Sequence, residues 1–161
     1  AAAGIALLLF FGREGWLGEK LDSLGVTVAF TPVAVVIAQI FVSAPLFVRS
    51  ASTALASLDR DMEHGALLDG AAPSQVFWHV CIPLARRGLL SGLLLCWARS
   101  IGEFGATILF AGNLEGRTQT MPLAIYTGFE QDLDSAIAMS QALLVVALVV
   151  LLAARLLDKR D

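Results

Sequence analysis

The chain has 161 residues, of which 57% are hydrophobic, with a mean hydropathy of +0.76 and a formal net charge of −3. A soluble domain carries roughly 45–50% apolar residues, so this composition excludes water as the only solvent for the fold. The charge balance and the lack of a basic aromatic patch exclude a nucleic-acid partner.

The chain opens with AAAGIALLLFFG, which is apolar but about half the ~20 residues that a helix needs to cross a hydrocarbon core about 30 Å thick. It has no basic flank and no small-residue cleavage site, so it reads as the tail of a truncated span, with a signal-peptide remnant as the alternative. Three longer apolar runs follow, roughly Leu24 to Phe47, Gly88 to Ala111 and Ile137 to Leu157. The expected fold class is therefore all-α, a multi-pass transmembrane helix bundle with three full spans and part of a fourth. Pro32 and Pro45 in the first full run mark expected kinks, where freed carbonyls need other partners.

Between the first two runs lies a mixed segment, 48–87. Arg49, Arg60, Arg86 and Arg87 flank or occupy it, and Arg155, Lys159 and Arg160 follow the last run, against Arg13, Lys20 and Arg117 on the other side. Short cytoplasmic loops are enriched in Lys and Arg, so the 48–87 loop and the C-terminus are expected in the cytoplasm. Within the loop, Ser57 to Leu68 carries Asp59, Asp61 and Glu63 early, where carboxylates favour a helix start, and Met62, Ala66 and Leu67 form a partly apolar face. Gly70 ends that helix by tolerating a left-handed backbone. A second short helix, SQVFWHVCI, is expected to begin near Ser74 and to be broken by Pro83.

The run from Gly88 to Ala111 contains two charges, Arg99 and Glu103, four residues apart and so on one helix face. Charges inside a span usually face a bundle interior and find partners. On this spacing Arg99 is expected near the midplane and Glu103 nearer the outer leaflet. Two roles stay open: Arg99 adds positive potential to an anion path, or the pair only locks neighbouring helices, a role favoured because an unpaired Glu would repel a dianion. Gly102 and Gly105, with Ala98 and Ala106, leave room for close helix approach, and Thr107 completes the buried polar candidates of this span. Beyond it, Gly112 to Glu130 reads as an external loop followed by a short interfacial helix. Asn113, Arg117, Thr118, Gln119 and Thr120 are its candidate contacts, and Trp16 and Tyr126 are candidate interfacial anchors.

The chain has no phosphate-binding loop, no H-E-x-x-H and no G-x-S-x-G. His64, His79, Cys81 and Cys96 stand at spacings unsuited to a metal, so neither catalysis nor a metal site is expected.

The loop resembles the membrane permeases of ATP-binding-cassette importers, whose cytoplasmic loop carries Glu-Ala-Ala, three residues, Gly, and a later Leu-Pro-like pair. Gly70 and Pro83 have the required separation, whereas the Glu-Ala-Ala positions hold His64, Gly65 and Ala66, with Glu63 displaced by one. The stretch ARSIGEFGATILFAGNLEGRTQTMPLAIY, Ala98 to Tyr126, resembles the molybdate and tungstate branch, and sulfate permeases are similar only around its Gly-Glu pair. Together the resemblance covers approximately Arg49 to Glu130.

The resemblance implies a single transmembrane permease domain over 1–161 that lacks its N-terminal part and sits in the inner membrane. It further implies a homodimer of permease copies, two ATPase subunits and an external oxyanion-binding protein. ATP and Mg would sit on the ATPases, with no cofactor in this chain and no covalent chemistry of its own. Coupling to the ATPase would fall to Glu63, His64, Gly65, Ala66, Asp69, Gly70, Pro73 and Pro83. An importer of sulfate or another oxyanion is the alternative cargo. An ion-coupled secondary transporter or a non-transporting scaffold is the alternative class.

Overall fold

The computed structural model describes residues 1–158, and every regular element among them is helical. Lys159 and Arg160, which enter the charge comparison above, lie outside the described residues. The elements are α1 (Ala2–Phe11), α2 (Gly18–Asp22), α3 (Pro32–Ala56), α4 (Arg60–Leu68), α5 (Pro73–Val76), a π-helical turn (Phe77–Cys81), α6 (Ile82–Ile101), α7 (Gly105–Phe110), α8 (Met121–Gln131) and α9 (Leu133–Asp158). Three stretches, Pro32–Ala56, Pro73–Ile101 and Leu133–Leu157, are helices long and apolar enough to cross a membrane.

Their boundaries correct the expected ones. Residues 24–31 are not helical: Gly25 and Phe30 have positive φ, and Val28 and Ala29 are buried in a core with Leu7, Ala34, Ala38, Ala106, Phe110 and Ala111. Their oiliness serves that core and not a span. Pro32 is no kink, since it opens α3, where a missing N–H and a fixed φ suit the first helical position. Pro45 does lie inside α3. That helix runs on through Arg49 to Ala56, which narrows the connection to the next long helix to 57–72.

Pro83 breaks nothing either. The chain stays helical from Pro73 to Ile101, because the wide turn at Phe77–Cys81 just precedes the proline ring. In contrast, the run from Gly88 to Ala111 is interrupted at residues 102–104, so α6 and α7 are separate helices.

The residues group into two compact units, 1–44 with 97–148 and 45–96 with 149 onward. In the first unit, α1 lies so close to α7 that a Cβ on Gly4 would stand 2.9 Å from the Ala106 backbone. In the second, α6 lies against α3 through Gly88 and Gly92, which face Ala54 and Ser50. At the start of α9, Asp132 accepts from the Ser135 hydroxyl and, at 3.3 Å, from its backbone N–H. Those bonds, the hydroxyl first, hold the Asp132 carboxyl below the usual carboxylate range. The cap is therefore complete at neutral pH and is lost only as pH falls through that lowered value.

Candidate functional site

The connection between α3 and α6 is built by local chemistry. Asp59 caps α4 by accepting the Asp61 N–H at 2.9 Å, and Asp61 and Glu63 lie in the first turn, where the helix dipole favours them. The other end closes in a Schellman arrangement: Ala71 N–H donates to Ala66 O at 3.1 Å and Gly70 N–H to Leu67 O at 3.1 Å. This geometry needs a left-handed residue, and Gly70 has φ +91°. Ala72 then extends, as a residue before proline must, its N–H donates to Gln75 Oε1 at 2.9 Å, and Pro73 starts α5.

Almost all of this segment is open. Glu63, His64, Gly65, Asp69, Gly70 and Pro73 are exposed and Ala66 is half-buried. Met62, Leu67, Leu68, Phe77 and Trp78 are exposed as well, and Leu68 keeps 88% of its surface. A cleft of about 460 Å³ runs beside α4, with Met62 and His64 on one side and Phe77, Val80 and Leu84 on the other. The structure thus brings Glu63 to Gly70 into one exposed helix and its cap. Pro83 lies in the first turn of α6, inside the long helix.

The charged pair is partnered, and its surroundings differ from those expected. Arg99 occupies the last turn of α6 and not the middle of a span, and Glu103 lies in the break between α6 and α7. The Arg99 guanidinium donates to Glu103 Oε2 at 2.9 Å, while Glu103 Oε1 accepts the Ala106 N–H at 2.9 Å. A single carboxylate, 6% exposed, therefore ties the end of one helix to the start of the next. Thr107 is fully buried and its hydroxyl has no hydrogen-bond partner among the described residues.

This bridge separates two substitutions. Glu103→Gln keeps an oxygen for Ala106 and loses only the charge pairing, whereas Glu103→Ala loses both bonds. A hydrogen bond to a charged group contributes about 1.5–3 kcal/mol, and Arg99, 44% exposed, takes the lower end. Glu103→Ala is accordingly expected to lower the melting temperature in detergent clearly more than Glu103→Gln. Adding Arg99→Met to Glu103→Gln should recover part of the loss, because a glutamine that keeps its oxygen on the Ala106 N–H turns its NH2 toward the guanidinium, donor against donor. Equal losses in the two single variants would show that the Ala106 bond carries no weight.

In the segment between α7 and α8, Gly112 and Gly116 have positive φ, and Thr118, nearly fully buried, accepts the Leu114 N–H at 3.0 Å. Asn113 Nδ2 donates to Thr127 Oγ1 at 2.9 Å, pinning the segment to α8. Of the sequence candidates, only Arg117 is exposed; Asn113, Gln119 and Thr120 are half-buried. Asn113→Leu is expected to cost about 1 kcal/mol and to speed amide exchange over 113–119. Unchanged exchange would mean that the pin is not holding the segment. Trp16 and Tyr126 are both more than half exposed, with the Lys20 ammonium 4.7 Å from the Trp16 ring centre.

Residues 2–160 match the family of binding-protein-dependent transport system inner membrane components. The chain belongs to that family. It is 48% identical to the molybdenum transport system permease protein ModB of Mycobacterium tuberculosis, over 92% of this chain and 56% of that protein. It is 42% identical to the probable transport system permease protein NifC of Clostridium pasteurianum, over 100% of this chain and 56% of that one. Against the chloroplastic sulfate permease 2 of Chlamydomonas reinhardtii the identity is 39%, over 90% of this chain and 40% of the other. The chain spans about half the length of the curated relatives it matches.

Sequence reasoning missed two features of this family member. The close approach of α6 to its neighbour occurs at Gly88 and Gly92 and not at Gly102, where a Cβ would meet open space. The spacing Gly-x-x-x-Gly was the available signal. The second is the tie from Asn113 to Thr127, which no local pattern announces because its partners are 14 residues apart. Among the described residues no group of His, Cys, Asp and Glu is placed to hold a metal ion.

Proposed function

We propose that the whole protein is the permease subunit of an ATP-driven importer of molybdate-type oxyanions, tungstate included. Two copies would form the pore, an external protein would deliver the anion, and ATP hydrolysis would occur on two separate ATPase subunits. The observation that carries this reading is the 48% identity, over 92% of the chain, to a molybdenum transport permease. The exposed helix α4, ended by a rigid glycine turn and edged by unpartnered Met62, Leu67 and Leu68, supports its use as the segment that docks on the ATPase. The arginines around 57–72 support a cytoplasmic position for that segment.

Arg99 and Glu103 are assigned to holding α6 and α7 together, beside the anion route and not in it. Both carboxylate oxygens are engaged at 2.9 Å, which suits a strut. Arg117 is the residue of the external segment best exposed for contact with the delivery protein.

Uptake into liposomes carrying the full complex tests the reading. Molybdate or tungstate should enter only when ATP and the binding protein are both supplied, and excess sulfate should compete weakly. Abolition by an equal concentration of sulfate would transfer the protein to the sulfate branch, in line with its 39% identity to a sulfate permease. Uptake without ATP would overturn the importer reading.

A further inference from the structure

The second unit contains a groove of about 460 Å³ that none of these roles uses, with Arg49, Ser50 and Thr53 on the α3 side and Arg87, Ser91 and Leu95 on the α6 side. None of its described lining residues is acidic. Gly88 and Gly92 hold the two helices close together beneath it, and apolar side chains such as Leu84 and Leu157 complete the walls.

Arg49 sits seven residues, about 10 Å along the axis, before the end of a helix long and apolar enough to span a bilayer. A charge at such a place calls for a counter-charge, and among the described residues no carboxylate pairs with it. Arg87 already has an interaction of its own. A guanidinium has five donors, so it can serve a second acceptor.

The hydroxyls decide which anion suits the groove. Thr53 donates to Arg49 O at 3.0 Å, Ser57 to Ala54 O at 2.9 Å and Ser91 to Ala154 O at 3.4 Å, so all three are spent on backbone carbonyls. A free tetrahedral dianion is costly to strip of water and asks for many hydrogen-bond donors in return. A phosphodiester carries one negative charge and needs fewer. Its acyl chains would also gain from the apolar walls.

We propose that this groove binds the phosphodiester of an anionic phospholipid, clasped by Arg49 and Arg87, with an acyl chain along Leu95 and Leu157. The proposal rests on the long helices crossing a bilayer and is independent of which anion is carried.

The test is native mass spectrometry of the full-length protein released from mixed phosphatidylglycerol and phosphatidylcholine. Wild type should retain phosphatidylglycerol preferentially. Arg49→Gln should reduce that preference about five-fold, the effect of one arginine at an anionic surface. Thr53→Phe, which fills the groove from an exposed position without altering charge, should reduce it as well and decides the matter if Arg49→Gln does not fold. Unchanged preference in the folded variants would overturn the proposal, as would displacement of the lipid by millimolar inorganic phosphate or molybdate, which would make this a site for free oxyanions. Failure of the importer reading would appear in the uptake assay and leave lipid retention untouched.

Discussion

Gly92→Val is expected to force α6 away from α3 and to destabilise the protein by about 3 kcal/mol, the upper end of ordinary overpacking. A Cβ at position 92 would lie 2.6 Å from Ser50 Cβ, and one at Gly88 would lie 2.6 Å from Ala54 Cβ. Real carbons do not approach so closely, and the obstacle in each case is a Cβ fixed to the helix backbone, which no rotamer can move aside. The smaller Gly92→Ala should cost less, and pairing it with Ser50→Gly should restore most of the loss by vacating the contested space. Thermal unfolding in detergent measures all three. A Gly92→Val protein that melts with wild type would show that the two helices are not in contact there.

Gly70→Val should leave membrane insertion and expression intact while lowering ATP-driven uptake about ten-fold. The side chain would meet nothing within 4 Å, so no neighbour is displaced; the penalty is the left-handed backbone at φ +91°, which a β-branched residue resists. Such strain costs about 1–3 kcal/mol, and a tenfold shift between turn geometries needs only about 1.4 kcal/mol. The turn would relax by breaking the bonds to Ala66 and Leu67, and α4 would leave its angle to the following helix. Gly70→Asn provides the control, because Asn tolerates the left-handed region, and it should retain most of the uptake. Wild-type uptake and ATPase assembly in Gly70→Val would end the proposal that α4 and its glycine turn form the segment that docks on the ATPase.

Some of the site was legible residue by residue. Asp59, Asp61 and Glu63 ahead of an apolar pattern, then Gly70 and Pro73, spell a helix with its start, stop and restart, because caps and turns depend on side chains within a few positions of the backbone groups they satisfy. The spacing of Arg99 and Glu103 likewise anticipated their ion pair. It did not anticipate the helix break, although Gly102 and Gly105 flank the carboxylate. Hydropathy counts oily residues without asking where their N–H groups go, and here one of them goes to Glu103. The same blindness placed Leu24 to Phe30 in a span, when Val28 and Ala29 pack in a core beneath a non-helical backbone.

By itself, then, the sequence determined the helical class, the three long apolar helices and the glycine-ended helix between the first two, since each follows from solvent and from interactions short along the chain. Tertiary structure decided the rest: that Pro83 stays inside a helix, that Glu103 bridges Arg99 and Ala106, that Gly88 and Gly92 meet Ala54 and Ser50, and that Asn113 reaches Thr127. The glycine contacts and the Asn113 tie depend on which residues distant in sequence come together, and helical periodicity states only which face a residue occupies, never what that face will meet.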